Sequence, residues 1–419
     1  MPPMLHVFRR LNYAHVVLAT GFAMLFFSTG TRFAFGLALV PMTEDLGLSR
    51  SALSSALTLF MIVSAFAMPV VGRLIDRYSI RVVMSVGAVI SALAIGLIGS
   101  VSAGWQIFPL YGILYAVGFA ATTVAPVSVL MSRWFPNNRG LASSVAITGN
   151  GTGQLVIISL LTSFLASIGW RTAYTIMGLV NAVVVVPLVL LAIRSHPEGR
   201  GDQTTPVESA PTPTLSFRTV LMSRDFWMLI TLYAVCGAQD FFVATHIVAF
   251  AQDQGVSQIF AGNILAFMGL AALLGVLLSG ALADRVGATS PTMICFLIRL
   301  GLFAFIPFVQ TPVSIAAFAL IYGFTFTMTA PLTVVFAGNI FGTTRLGSVS
   351  GLINMSHQIA GGLGAVVGAV IFDATGSYDG AFFLMLGLTV IAAVATHLVR
   401  ERPQVVVMGS QDRNGPACA

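Results

Sequence analysis

The chain alternates between long apolar stretches and short polar segments from one end to the other. The apolar stretches reach about twenty residues, the length that an α-helix needs to cross a hydrocarbon layer roughly 30 Å thick. They are continuous, whereas the strands of a membrane β-barrel alternate polar and apolar residues. The pattern therefore predicts a helical membrane protein. The twelve predicted spans lie at residues 14–40, 52–71, 82–101, 105–132, 141–167, 171–193, 225–250, 259–281, 290–309, 313–338, 348–372 and 379–399.

A polar segment divides these spans into two groups of six. From Ser195 to Ser223 the chain is rich in proline, glycine, serine and threonine, which is the composition of a linker. The predicted units are an N-terminal six-helix bundle, a cytoplasmic linker, a C-terminal six-helix bundle and a cytoplasmic tail. They lie at residues 1–194, 195–223, 224–402 and 403–419, respectively.

The two halves also resemble each other in sequence. A shift of 208 residues, without a gap, brings identical residues into register in the loops after spans two and eight. The matched residues are Gly72, Leu74, Asp76 and Arg77 with Gly280, Leu282, Asp284 and Arg285. Internal repeats of this kind are typical of transporters whose site lies where the repeats meet. We therefore predict an all-α membrane protein of twelve transmembrane helices in two pseudo-symmetric six-helix bundles.

Composition and charge agree with this class and exclude others. Hydrophobic residues make up 57% of the chain and charged residues only 8%, whereas soluble domains carry about a quarter charged residues. All 20 basic residues are arginines, and 16 of them fall in segments predicted for one face. This asymmetry predicts that both termini are cytoplasmic in a cell inner membrane. The net charge of +6 therefore reflects orientation, and we expect no nucleic-acid partner.

The repeated loop after spans two and eight carries the first family resemblance. Its glycines permit close helix approach, and Asp76 is expected to cap span three or to meet an arginine of a neighbouring helix. The glycine-x-leucine-x-aspartate-arginine pattern resembles the signature of the major facilitator superfamily. That resemblance implies two bundles that rock around a central cavity, with the loops as a cytoplasmic gate. The gate residues are Gly72, Arg73, Asp76, Arg77, Gly280, Asp284 and Arg285.

A narrower resemblance lies at the start of span five. The segment 134–153 is similar to the monocarboxylate porter and oxalate/formate antiporter branch, and its Gly149 and Gly153 are expected to allow close helix packing. Members of that branch often carry an acid and an arginine in span eight, where this chain has Ala272 and Val276. If the substrate is a carboxylate, its fixed cation must therefore come from elsewhere in the chain.

Arg32 in span one is the candidate for that cation. The repeat shift places it opposite Asp240 of span seven. A charged side chain near mid-membrane costs roughly 2.5–3.5 kcal/mol and usually faces a cavity or a partner, and a guanidinium matches a carboxylate in geometry. We predict that Arg32 binds substrate and that Asp240 is its resting counter-ion, a proton carrier, or both. A purely structural pair and an arginine that reaches to the outer surface remain alternatives.

Other polar residues within the spans are weaker candidates. His357 and Asn150 fall at equivalent positions of spans eleven and five and are predicted substrate contacts, with proton contact as a second role for His357. Tyr115 and Tyr322 could also contact substrate, although tyrosines within spans more often pack. His246 is a proton-coupling candidate, with an interfacial position as the alternative.

Two further features concern structure more than substrate. Arg299 lies in span nine, which is expected to face lipid, so we interpret it as structural. Pro126 and Pro331 are expected to bend spans four and ten, because proline removes a backbone hydrogen bond.

The sequence thus predicts a secondary transporter of a small organic anion, with a monocarboxylate favoured, that works by alternating access with proton symport or anion exchange. We find no nucleotide-binding loop, catalytic constellation or metal spacing, and expect neither enzyme activity nor a cofactor. The expected partners are the anion, protons or a counter-anion, and the bilayer, and we expect a monomer. A drug exporter of the same superfamily and a non-transporting sensor are the alternatives.

Overall fold

The computed structural model describes residues 4–48, 50–195 and 216–401, and nearly all of them are helical. The helices of the first half are α1 (Met4–Leu46), α2 (Arg50–Arg77), α3 (Ile80–Ile98), α4 (Ala116–Thr122), α5 (Val124–Trp134), α6 (Arg139–Val180) and α7 (Val186–Ala192). A 3₁₀ turn (Gly104–Gln106) and a π-helix (Phe108–Tyr115) precede α4, and a second π-helix (Asn181–Val185) precedes α7. The second half contains α8 (Phe217–Leu221), α9 (Arg224–Asp253), α10 (Gln258–Val286), α11 (Thr289–Phe305), α12 (Pro312–Phe326), α13 (Leu332–Phe341), α14 (Leu346–Thr375) and α15 (Asp379–Leu398).

These helices confirm the predicted twelve spans in two six-helix bundles. Ten helical stretches among the described residues are long and apolar enough to cross a membrane. The shorter helix α11 corresponds to span nine, and α12 with α13 corresponds to span ten. Spans five and six are joined within α6, where Gly169 adopts a φ of 75° and breaks the helical geometry.

The predicted bends in spans four and ten are present. Thr123 is extended between α4 and α5, three residues before Pro126. The helix of span ten is likewise interrupted between Phe326 and Leu332, and Pro331 lies at the start of α13. Each of the two repeats therefore contains one broken helix, at equivalent positions of the repeat.

Glycines bring neighbouring helices into direct backbone contact. A Cβ placed on Gly149 or Gly153 of α6 would lie 2.3 or 2.0 Å from a carbonyl oxygen of α1. In the other bundle, a Cβ on Gly364 of α14 would lie 2.2 Å from the Ala238 carbonyl oxygen of α9. The predicted packing role of these glycines is therefore confirmed.

The repeated aspartates join the two bundles. Asp76, at the end of α2, accepts hydrogen bonds from the backbone N–H groups of Gly347 and Ser348, at 2.8 and 2.7 Å, and so caps α14. Of the two expected roles of Asp76, the cap on span three is not formed, whereas the expected arginine of a neighbouring helix is present, since the charge of Asp76 interacts with Arg133 of α5. The fold brings the free N–H groups of α14 to this carboxylate, and a negative charge is favourable at that helix terminus.

Asp284 makes the equivalent contact from the C-terminal bundle to the N-terminal bundle. It ends α10 and accepts hydrogen bonds from the N–H groups of Gly140 and Leu141 in α6, at 2.7 and 2.8 Å. Gly280 and Gly140 are in backbone contact beside it. We call the end of the molecule that contains these two capping contacts the latch end, and it is closed in this structure.

The predicted linker and tail are described only in part. Residues 196–215 and 403–419 lie outside the described residues. Within the linker prediction, the short helix α8 is observed, and the guanidinium of Arg73 lies over the Phe217 ring at 5.0 Å. This contact attaches α8 to the latch end.

Candidate functional site

A buried polar cluster surrounds Asp240 inside the C-terminal bundle. The Oδ1 atom of Asp240 lies 2.8 Å from the Arg299 guanidinium and accepts a hydrogen bond from the Tyr322 hydroxyl at 2.9 Å. Its Oδ2 atom lies 3.4 Å from both the His357 Nε2 atom and the Cys236 Sγ atom. Four helices, α9, α11, α12 and α14, therefore meet at one carboxylate.

Arg299 is fully buried in this cluster, whereas Leu297 and Phe305 of the same helix are exposed. Span nine thus keeps an exposed apolar face, as expected, and its arginine points away from that face into a structural ion pair. Its guanidinium also donates to the hydroxyl and the carbonyl oxygen of Thr325, at 3.1 and 2.9 Å, and to Gln239 Oε1 at 3.2 Å. A buried charge is tolerated when it is both paired and hydrogen-bonded. The helix α11 thus turns its arginine towards the interior of the bundle.

The same geometry corrects the predicted counter-ion. Asp240 is paired with Arg299 of its own bundle, and the predicted resting pair between Asp240 and Arg32 is not formed in this structure. Sequence reasoning missed the pairing because the repeat shift places Arg299 opposite Ser91, an uncharged residue. The available signal was charge balance, since Arg299 and Asp240 are the two charges deep within the spans of the second half.

Arg32 has a different environment in the N-terminal bundle. Its guanidinium carbon lies 5.5, 5.7 and 5.5 Å from the ring centroids of Phe33, Phe60 and Phe119. Among the described residues, no carboxylate is within ion-pair distance of Arg32 and no residue accepts a hydrogen bond from its guanidinium. Aromatic faces stabilise a cation but leave its hydrogen-bond donors unused. The role of Arg32 in substrate binding stays a prediction.

Asn150 lies on the same side of α1 as Arg32. Its side-chain oxygen accepts a hydrogen bond from the Thr29 hydroxyl at 2.7 Å. Thr29 precedes Arg32 by three residues, so the two side chains share one face of the helix. Asn150 of α6 therefore contacts α1 one helical turn before Arg32.

His357 lies at a comparable depth in the other bundle. Asn150 and His357 are each eleven residues from the first residue of their helices, Arg139 and Leu346, both of which lie at the latch end. At 1.5 Å per residue, each side chain is about 16 Å from that end. The pseudo-symmetry thus places polar groups of both bundles near mid-membrane.

Tyr115 and Tyr322 are buried, with their hydroxyl groups already engaged. The Tyr115 hydroxyl donates to the Ser28 carbonyl oxygen at 3.1 Å, and the Tyr322 hydroxyl donates to Asp240. Both side chains therefore support charged or backbone groups in this conformation. Their direct contact with substrate stays a prediction.

His246 is also held by its neighbours. Its Nε2 atom lies 2.8 Å from the Ala365 carbonyl oxygen and its Nδ1 atom 3.2 Å from the Tyr378 hydroxyl. Because a carbonyl oxygen only accepts, Nε2 carries the hydrogen in the contact with Ala365. Both ring nitrogens are thus engaged in this conformation, and a proton-coupling role for His246 stays a prediction.

The Asp240 cluster was also considered as a metal site. Cys236, Asp240 and His357 offer three potential ligand atoms within 4.8 Å of one another. The Arg299 guanidinium, however, lies 2.8 Å from the carboxylate. Its positive charge opposes a second cation at this position, so we do not assign a metal to it.

Comparison with known proteins places this geometry in a family. The profile of the Major Facilitator Superfamily matches residues 21–362 and, in a second match, residues 233–413. Monocarboxylate transporter 11 of Homo sapiens is 28% identical over 89% of this chain and 80% of its own length. The uncharacterized MFS-type transporter YcxA of Bacillus subtilis is 28% identical over 83% of this chain and 85% of its own length.

Solved structures agree on the fold. The transporter FucP, in a crystal structure of its outward conformation, has a TM-score of 0.71 and 16% identity, covering 93% of this chain and 100% of FucP. The profile match covers most of the chain, and the repeated loop, the two six-helix bundles and the shared helix breaks agree with it. This chain belongs to the Major Facilitator Superfamily and is a multi-pass membrane transporter of that family.

Proposed function

We propose that this transporter carries a small organic anion, with monocarboxylates as the preferred class, by alternating access. The observation that supports the proposal best is the state of Arg32, a cation within the membrane whose guanidinium donors have no partner among the described residues. The buried acid Asp240 is already neutralised by Arg299, so the charge that remains for a substrate is positive. Relatives named as monocarboxylate transporters support the same class.

The site chemistry suits a carboxylate. A guanidinium can donate two parallel hydrogen bonds to the two carboxylate oxygens, and the rings of Phe60 and Phe119 limit water around it. The Asn150 amide of α6 contacts Thr29, one turn before Arg32 on α1, and can supply a further donor. An anion bound there would neutralise the Arg32 charge, which gives the substrate a favourable place inside a low-dielectric bundle.

The orientation follows from the arginine distribution. With both termini cytoplasmic, as the positive-inside rule predicts, the latch end faces the cytoplasm. The capping contacts of Asp76 and Asp284 then close the cytoplasmic side, and they must break when substrate passes to that side. We further propose that the protein lies in a cell inner membrane as a monomer and uses proton symport.

Uptake into proteoliposomes tests the proposed substrate class. The purified protein is reconstituted and offered labelled pyruvate, lactate, formate and oxalate, with a lipophilic cationic drug as a comparison. We expect saturable uptake of at least one monocarboxylate. In Arg32→Gln, this uptake should fall by tenfold or more, because one lost charge-assisted pair removes about 1.5–3 kcal/mol of binding.

Two further variants make the result specific. Arg32→Lys keeps the charge but loses the planar pair of donors, so uptake should be intermediate. Arg171→Gln removes an arginine that is paired with Asp45 at the opposite end of the bundle from the latch end and should retain uptake. Full activity in Arg32→Gln, or transport of the cationic drug without any carboxylate, would contradict the proposal.

A further inference from the structure

We propose that His357 carries the coupled proton, while Asp240 and Arg299 remain ionised and hold the imidazole in place. This inference rests on the proposed anion transport and adds the residue that couples it to protons. The sequence analysis left two roles open for each residue, since Asp240 was a counter-ion, a proton carrier or both, and His357 was a substrate contact or a proton contact.

The contacts of Asp240 make it a poor carrier. Its Oδ1 atom receives both the Arg299 guanidinium and the Tyr322 hydroxyl, and the side chain is 6% exposed. A proton on Asp240 would leave the fully buried Arg299 without a counter-charge, which is a costly state inside a protein. The pair is therefore most stable when both members stay charged.

His357 has the features that Asp240 lacks. Its side chain is 25% exposed, so water reaches it more readily than it reaches the pair behind it. Its Nε2 atom faces Asp240 Oδ2 at 3.4 Å. An ionised carboxylate only accepts hydrogen bonds, so in the neutral ring Nε2 carries the hydrogen and Nδ1 keeps a free lone pair.

The proposed proton step is simple. A proton from water adds to the Nδ1 lone pair and forms an imidazolium ion, with no other bond made or broken. Release returns the same proton to water on the other side of the membrane. The Asp240 carboxylate, 3.4 Å from Nε2, stabilises the charged ring.

The charged and titratable groups nearest to His357 among the described residues belong to three other helices of the C-terminal bundle. Cys236 and Asp240 face it from α9, and behind them lie Cys295 and Arg299 of α11 and Tyr322 of α12. The helices α2, α5 and α15 also pack against α14. Arg73, Asp76 and Arg77 of α2 and Arg133 of α5 lie at the latch end, whereas Arg50 begins α2 at its other end, and the charged or titratable residues of α15 are Asp379 and His397 in its first and last turns. Asp76 contacts Gly347 and Ser348 at the start of α14, about three helical turns from His357.

Charge balance links the proton to the anion. Asp240 and Arg299 cancel, so a protonated His357 adds one positive charge to the C-terminal bundle. This charge lies at the same depth as Asn150 of the N-terminal bundle, which contacts Thr29 one turn before Arg32. Protonation thus creates a second cation for the substrate, which favours proton binding before anion binding. One proton and one monocarboxylate would then move together without net charge.

A substrate-independent titration tests the central step. The protein is labelled with ¹³C at histidine Cε1, and its spectrum is followed from about pH 5 to 10, which brackets the usual histidine range. The signal that disappears in His357→Gln belongs to His357. We expect that signal to show a one-proton transition in this range. A His357 signal that stays neutral, or stays charged, throughout would overturn the proposal.

A transport assay tests the coupling. Liposomes with an imposed pH gradient are offered labelled pyruvate and lactate, with wild type, His357→Gln and the control His397→Gln, whose histidine is exposed on α15. In His357→Gln, gradient-driven accumulation should fall to the level seen without a gradient, and the rate of anion exchange should no longer change with pH. His397→Gln should behave as wild type.

The two proposals fail in different ways. If no carboxylate is taken up but the His357 signal titrates, the proposed substrate class is wrong and the proton site stands. Suppose that carboxylates are transported. If anion accumulation by His357→Gln still depends on the pH gradient, or if that dependence is lost in His246→Gln and kept in His357→Gln, the assignment of the proton to His357 is wrong.

Discussion

The three charged residues deep within the spans have two kinds of environment, since two of them form an ion pair and the third has no oppositely charged partner among the described residues. Asp240 and Arg299 neutralise each other in the C-terminal bundle, and Arg32 stands among aromatic rings in the N-terminal bundle. The sequence predicted that Arg32 and Asp240 matter, because charges near mid-membrane are rare. It did not predict their partners, since the repeat shift compares equivalent positions and carries no information on which side chains touch.

Replacing one member of the buried Arg299–Asp240 pair should destabilise the protein much more than replacing both members together. We expect Arg299→Leu to destabilise the protein by about 3–5 kcal/mol, because Asp240 is left charged and unpaired. The double variant Arg299→Leu with Asp240→Leu should recover at least half of that loss. Thermal unfolding of the detergent-purified proteins measures both effects. Equal stability of Arg299→Leu and wild type would show that the pair is dispensable.

At the scale of helices, close packing depends on small residues at defined spacing. Gly149 and Gly153 are four residues apart and bring α6 against the backbone of α1. This contact could be predicted from sequence because a helix repeats its face every three to four residues. The break of α6 at Gly169 likewise falls within the short segment that the pattern placed between spans five and six.

We expect Gly153→Ala to weaken this packing. A Cβ at that position would lie 2.0 Å from the Phe26 carbonyl oxygen, and overpacking of this kind costs about 1–3 kcal/mol. Gly362→Ala is the matched control, since no atom lies within 4 Å of a Cβ placed there. The control should be neutral or slightly stabilising, because alanine favours the helix. Melting temperatures of the two purified variants compare them, and a lower value for Gly362→Ala than for Gly153→Ala would argue against the packing role.

At the scale of the whole molecule, the bundles are joined by two carboxylates that cap helices of the opposite bundle. Asp76 caps α14, and Asp284 caps α6. The loop motif identified both aspartates in the sequence, but their partners lie more than 140 residues away. Since each bond crosses between bundles, the latch end can open only when these contacts are lost.

Weakening one capping contact should shift the conformational balance. Asp76→Asn removes the negative charge from the N-terminus of α14, an effect of about 0.3–1 kcal/mol, so we expect a larger population that is open at the latch end. Spin labels on Tyr78→Cys and Thr344→Cys, two exposed positions beside the contact, report the distance between the bundles.

The control for that experiment is Asp45→Asn, which changes a carboxylate that bonds Arg171 and Trp170 within one bundle. It should leave the distance distribution at the latch end unchanged. If Asp76→Asn gives the same distribution as Asp45→Asn, the capping contact does not hold the latch end closed.

The sequence by itself determined the membrane class, the twelve spans, the internal repeat and the glycine contacts, because these depend on local hydrophobicity and on helical periodicity. It also indicated which polar residues lie within the membrane. Only the tertiary structure decided that Asp240 pairs with Arg299, that Arg32 lies among aromatic rings with no carboxylate partner in the described part of the chain, and that Asp76 and Asp284 cap distant helices. Such pairings depend on how helices far apart in sequence are rotated and placed against one another, and hydrophobic pattern alone does not fix that geometry.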